Sequence, residues 1–584
     1  MIPLSLLSGR RNFNHMPDSF TERSFFERLR NSGINMIRIW GGGRYSPDSL
    51  MELANEYGIM IWHDLMFACS TYKMFNIEGI LNRKSLEKEL TQNINRLRNH
   101  PSLGVIAANN EIESYMEQLH REKSISEQEL KEYRRIFFEF IPGIIEKIAG
   151  DVSFLVSSPS NGIHQRKDSH DFYLKSQDPR YGDVHYYDYS VNSWDSMRFP
   201  LSKFTSEFGL QSLPSVVSWN RSILDGKGFD EHWNVEGVLM KHREHQPHGN
   251  ENLLLMVQRN FGLLPNTSSH LENYKRFLYL TQLNQGIYYE RHVSRLKSFQ
   301  CLLIGNNYAQ SSLDLFPGTL EGEGFNSGYM YWQFNDVWSA PTWSLMDSAG
   351  ILKVGYYLLK NININSQIFL TIDETFDIIN LAYQPRPDWI MDTEVFFKIS
   401  CFNLQRNDLL NELHGSFRLK KIEYHGFTHT NQQCPQRFLQ MSVKEFASLC
   451  NCDVIKKNCY SNVEILPGNR VEPRRITFLI NRPLNLMNQF CSGPIHIVSV
   501  QKQKMFKDAI HYQVTLSNGN CTHLYVFLSI KYLDVVYEFD ENGFTLSNKE
   551  LKCLQLILFT NDTIGSTDLK SFIEIQSLNM IMTI

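Results

Sequence analysis

The stretch "INMIRIWGGGRYSPDSLMELANEYGIMIWHDLMF" (34–67) decides the fold. It holds two near-continuous apolar runs, 34–40 and 58–67, around a segment, 46–58, whose apolar positions recur at helical spacing. Ser46 before Pro47, and Gly58 at the far end, are start and stop signals for that helix. Two strands without a polar face, joined by a helix, call for a parallel sheet covered on both sides. The alternation continues. Candidate strands fall at 103–110, 153–159, 183–189, 201–208 and 328–335, and amphipathic helical patterns at 21–33 and 85–100. Seven such strands over about 300 residues fit a (β/α)8 TIM barrel better than a doubly wound sheet. "WGGGRY" (40–45) has the spacing of neither nucleotide-binding glycine motif.

A barrel needs one more strand, ahead of 21–33, where the chain offers "MIPLSLLSGRRNFNHMPDS" (1–19). The expectation is a first strand that is atypical or absent, with an exposed sheet edge in its place. A long insertion at about 210–327, helical at 273–298, precedes the last strand. After about residue 360 the period drops to two, as at 395–404, 474–480, 511–519 and 523–539, which reads as half-buried antiparallel strands. The class is α/β plus all-β: a barrel over 1–360, then two immunoglobulin-like β-sandwiches over 361–485 and 486–584.

The totals narrow the partners. A formal charge of -4 on 584 residues gives no electrostatic reason to expect nucleic acid or an anionic membrane. No apolar run approaches the roughly 18 residues of a membrane span, and the start lacks the pattern of a secretory signal. Cys450, Cys452 and Cys459 cluster without zinc-ligand spacing. Sequons at Asn220, Asn266, Asn520 and Asn561 permit a secretory route.

In a barrel, polar residues at the carboxyl ends of strands line the reactive mouth. Here those ends carry Arg38 and Trp40, His63 and Asp64, Asn110 and Glu111, His185 and Tyr187, Glu207, and then Trp332, Asn335 and Asp336. Glu111 and Glu207 each close an otherwise apolar strand, at the fourth and seventh barrel positions. Two carboxyl groups about 5–5.5 Å apart are what a retaining glycosidase requires. Glu113 and Asp336 read as structural acids, and Cys69 as a small buried residue.

"INMIRIWGGGRY", "IMIWHDLMFACS", "NNE", "SEFGLQS" and "YMYWQFNDVWSAPTWS", in this order, resemble the catalytic half of the β-mannosidases, in the glycoside hydrolase family 2 that also holds β-galactosidase and β-glucuronidase. The resemblance covers about 17–360 closely and the remainder loosely. It implies Glu111 as acid/base, held protonated by burial and its partner carboxylate. It implies Glu207 as nucleophile and Arg38 as the cation that keeps Glu207 ionised. Asn110 is expected to hold the sugar's 2-hydroxyl, Trp40 and Trp332 to form wall and floor, and Tyr187 and Asp64 to meet the nucleophile or hydroxyls. No metal or organic cofactor is needed. The implied activity is removal of terminal β-D-mannose from oligosaccharides of glycoprotein breakdown, in the lysosome.

Full-length members of that family carry a sugar-binding-type β-sandwich and an immunoglobulin-like domain ahead of the barrel. The chain therefore reads as a truncated form of a longer protein, whose missing domains the sugar pocket requires. The segment 298–324 reads as longer than the family's connection. Two other readings stand beside the enzyme: a non-catalytic glycan-binding fragment, and a glycosidase of the same family with another sugar preference.

Overall fold

The computed structural model describes residues 2–7, 22–71, 83–162, 176–190, 192–223, 233–263, 266–301, 321–365, 368–374, 377–384, 394–419, 435–453, 458–466, 474–479, 481–486, 489–506, 509–531, 535–560 and 564–582. Most of the segment 298–324 and the sequon at Asn561 lie outside them.

Eight parallel strands form one sheet: β1 (Ile2–Leu7), β2 (Met36–Ile39), β3 (Met60–Asp64), β4 (Leu103–Ala107), β5 (Ser153–Leu155), β6 (Asp183–Tyr186), β7 (Phe204–Phe208) and β8 (Gly328–Tyr331). Their order is β5-β4-β3-β2-β1-β8-β7-β6, so the first and last strands of the chain are neighbours. Between β5 and β6 there is one isolated bridge, Ser160 to Asp183. All seven expected strands are present, with "MIRI" of β2 buried along its whole length.

The expected gap at the first position is not there. Ile2–Leu7 fills it, pairing Leu4 with Met36 on one side and Ile2 with Gly328 on the other. Between two strands that each present unpaired backbone groups, a short apolar segment satisfies both ladders at once. Six residues are enough, and no edge is exposed at this position.

Helices cover the sheet. Glu22–Asn31 buries Phe25, Phe26 and Leu29, and Arg83–Leu97 buries Leu86, Leu90, Ile94 and Leu97, the spacing of an apolar helical stripe. Asp48–Tyr57 ends on Gly58 in the left-handed region, but starts at Pro47 without the side-chain cap expected from Ser46. In the insertion, His270–Ser298 is buried over most of its 29 residues.

Beyond residue 365 every strand pairing among the described residues is antiparallel. Two sheets, of three and four strands, lie within Ile368–Leu479, and two more within Ile495–Gln576. The first pair encloses its own apolar core, including Leu370, Ile379, Val395, Ile399 and Val463. Disulfides join Cys401 to Cys450, Cys452 to Cys459 and Cys491 to Cys521. The cysteine cluster is thus engaged in disulfides. The alternating run 523–539 divides into His523–Ile530 and Val536–Phe539, which belong to different sheets.

Candidate active site

The amides of "NNE" divide their work. Buried Asn109 accepts from the Ile112 amide (3.2 Å) and Ser157 (2.8 Å), and donates to the Val156 carbonyl (2.9 Å). It thereby caps the helix Ile112–Arg121, the task that Glu111 would otherwise perform. Glu111 sits at that N-terminus in the left-handed region (φ 58°) with no capping bond. Its backbone amide is tied to the Ser158 carbonyl at 2.8 Å. Released from capping, its carboxylate meets His185 Nδ1 at 2.8 Å.

The same Nδ1 lies 2.5 Å from Glu207, which ends β7. One oxygen of each acid and the imidazole nitrogen all lie within 4.8 Å of one another. The two strand-end acids thus lie together, and His185, named in the sequence only as a strand-end residue without a role, lies between them. A histidine at the end of a buried strand opposite two acids was the available signal.

Electrostatics follow from that contact. Burial opposes a charge on His185, but Glu207 and Glu111 outweigh it and raise the imidazole to about 9. Burial pushes Glu111 up, yet the hydrogen bond and charge of His185 hold it down, at about 2. Glu207 is raised, by burial first and by the charge of Glu111, against the pull of His185. The expectation that Glu111 rests protonated is overturned, because an imidazolium at hydrogen-bond distance stabilises its charged form. The same three residues carry the metal-ligating atoms that converge among the described residues.

Arg38 is fully buried and forks onto Asp64 at 3.0 and 2.8 Å, with a third bond to Asn110 Oδ1 at 2.7 Å. The expected bond to Glu207 is not among its contacts; the cation acts on that acid through space. Asp64 also accepts from the Gly41 amide (3.2 Å) and Trp62 Nε1 (3.1 Å), so its role here is to neutralise Arg38. Asn110 Nδ2 approaches Cys69 Sγ at 3.3 Å, and that thiol lies 3.5 Å from Glu111. Cys69 is exposed, contrary to expectation, because its residue follows β3 onto the rim. Burial, first, and Glu111 raise the thiol to about 12, which leaves it a neutral hydrogen-bond donor.

The rings come from opposite ends of the sequence. Half-buried Trp40 and Trp332 meet edge to face with centroids 5.4 Å apart. Gly42 is required beneath Trp40, since a Cβ there would stand 2.2 Å from the indole. Gly209 serves Trp332 likewise: a Cβ would lie 2.4 Å from the Trp332 carbonyl. Tyr187 is half-buried, 6.2 Å from Trp343 between centroids. Burial and then the two acids raise its phenol well above the ordinary value. Asp336 accepts from Gln333, Thr342 and Ser344, and Glu113 is buried beneath the helix it begins. Both are structural, as expected.

No protein-family model matches the chain. Over 356 residues it is 33% identical to a β-mannosidase of Capra hircus, covering 59% of this chain and 37% of that one. A probable β-mannosidase of Caenorhabditis elegans is 30% identical over 393 residues, 64% and 40% of the two chains. The crystal structure of β-D-mannosidase from Dictyoglomus thermophilum aligns over 96% of this chain and 58% of that one, with a TM-score of 0.67 and 18% identity, a likeness of fold. The chain spans about two fifths of the length of the curated relatives it matches.

Proposed function

We propose, from the premise that this chain is a homologue of the β-mannosidases, that it is a retaining exo-glycosidase releasing terminal, non-reducing β-D-mannose from oligosaccharides. The observation that carries this reading is the carboxylate pair Glu111 and Glu207, which with His185 bring their ligand atoms within 4.8 Å of one another. That is the close spacing of a double displacement and leaves no room for the water of an inverting reaction. The sheet order, with β1 between β2 and β8, supports a (β/α)8 barrel at 1–360. The two sets of antiparallel sheets support β-sandwiches at 361–485 and 486–584.

In the first step Glu207, as carboxylate, attacks the anomeric carbon while the glycosidic oxygen takes a proton from Glu111. Glu111 rests ionised, so its proton comes from His185 Nδ1 across the 2.8 Å bond. The cluster carries one net negative charge before and after that transfer, so the shift is electrostatically balanced. Water then attacks the glycosyl ester, with Glu111 as base. Trp40 and Trp332 form the apolar wall and floor of the ring site, and Asn110 and Tyr187 supply its polar edge. The Arg38–Asp64 pair fixes Asn110. The disulfides among the described residues fit an oxidising compartment, and Asn220, Asn266 and Asn520 are exposed, which supports a secretory or lysosomal setting.

The test is Glu207→Ala. Hydrolysis of an aryl β-mannoside should be abolished with the circular dichroism spectrum unchanged, and a 2-deoxy-2-fluoro-mannosyl fluoride should label Glu207 in the parent chain. Hydrolysis that survives the substitution, or a label on another residue, rejects the assignment.

A further inference from the structure

We propose that an aromatic rail from Tyr187 through Trp343 and His245 to Trp338 forms a second sugar subsite, which takes the leaving-group side of a β-linked oligosaccharide. The proposal rests on the exo-glycosidase reading above. When only the terminal sugar enters the closed end of a cleft, all remaining sugars must lie on the leaving-group side. A path of rings leading outward from the acids is where they would rest.

The path is continuous. Tyr187, whose phenol feels both acids, meets Trp343 at 6.2 Å. Trp343 is fixed by its Nε1 donating to Tyr189 at 2.9 Å and meets His245 at 6.3 Å. His245 meets Trp338 at 5.7 Å. Each step is of the order of one pyranose ring.

Among the described residues, Trp338 is the most exposed indole. Trp62, Trp194, Trp219 and Trp233 are buried, whereas Trp338 is 39% exposed and its neighbour Val337 46%. A single exposed apolar residue needs no explanation, but this one is held in place. Its Nε1 donates to His245 Nε2 at 2.8 Å, and the Arg243 guanidinium lies 4.8 Å from its ring centroid. Arg243 is anchored in turn on the Ser339 carbonyl at 2.6 Å. A ring already immobilised gives up little freedom on binding, and an indole's flat apolar body with a polar tip suits a sugar, which has an apolar face and a hydroxyl rim. Because Nε2 accepts, the His245 imidazole is neutral with its proton on Nδ1.

The experiment titrates the full chain in a Glu207→Ala background, with and without Trp338→Ala or Trp338→Phe, with β-1,4-mannotetraose, and measures kcat/KM on an aryl β-mannoside for the same Trp338 variants with Glu207 intact. Trp338→Ala should weaken the tetraose Kd by about tenfold and leave aryl mannoside turnover within about twofold, since that substrate is too short to reach Trp338. Trp338→Phe, which keeps a ring, should retain most of the affinity. An unchanged tetraose Kd in Trp338→Ala overturns the proposal, as does an equal loss on both compounds. If the parent hydrolyses no β-mannoside while the tetraose Kd still depends on Trp338, the function reading fails and the rail stands.

Discussion

At the scale of single residues, the proposed chemistry turns on the contact of His185 with both Glu111 and Glu207. His185 in the folded chain is raised from 6.5 to about 9. Its contribution to stability is therefore complete below about 6.5 and disappears as pH rises through about 9. Above that the two acids face one another without a cation between them, and Glu111 loses its proton source. We expect kcat/KM on an aryl β-mannoside to fall as pH rises through about 9, and the alkaline limb to disappear in His185→Asn, with a much lower plateau. A pH–rate profile of the parent that stays flat to pH 10.5 would remove His185 from this role. The acid Glu111 has the opposite sign: lowered from 4.5 to about 2, it stabilises the fold above its ordinary value and ceases to as pH falls through about 2.

At the scale of elements, strand ends and the turns beyond them aim the groups. β7 stops at Phe208, and Gly209 lets the carbonyl of Trp332 approach; the Trp332 amide donates to the Phe208 carbonyl at 2.8 Å. A methyl group at 209 would meet that carbonyl at 2.4 Å, too close without moving β7 or β8. Gly209→Ala should therefore displace Glu207 from Trp332 and lower kcat/KM by about 100-fold, the cost of a misplacement near 1 Å. Steady-state rates within twofold of the parent would show that the turn yields instead. Period and apolar content made these elements legible: "MIRI" and the 86-90-94-97 stripe are local patterns. β1 was not legible, because its six residues gain their partners only when β2 and β8 close on either side.

For the whole molecule, the C-terminal sheets share a continuous apolar core with the parallel sheet's outer layer, and a buried ion pair crosses that contact. Arg28, on the helix Glu22–Asn31, donates to Glu538 at 3.0 Å and to the Gly350 carbonyl at 2.9 Å, with both side chains of the ion pair buried. Removing one partner of a buried pair leaves the other charge uncompensated, at about 3–5 kcal/mol. Glu538→Ala should lose that much in urea unfolding, read by tryptophan fluorescence; a loss under about 1 kcal/mol would mean that water reaches Arg28. The 510 residues between the partners explain why no local pattern reveals the bond.

The sequence alone determined the succession of strands and helices, the change to antiparallel sheets near 360, and the strand-end positions of Glu111 and Glu207. Each of these depends on the periodicity of neighbouring residues, which the chain carries locally. Only the tertiary structure decided that His185 lies between the acids, that Arg38 bonds Asp64 and Asn110 and meets His185 Nε2 at 3.3 Å, that β1 fills its place, and that Trp338 is fixed at an exposed rim. Those outcomes depend on which side chains meet after the strands have paired, and on how burial then weighs one charge against another.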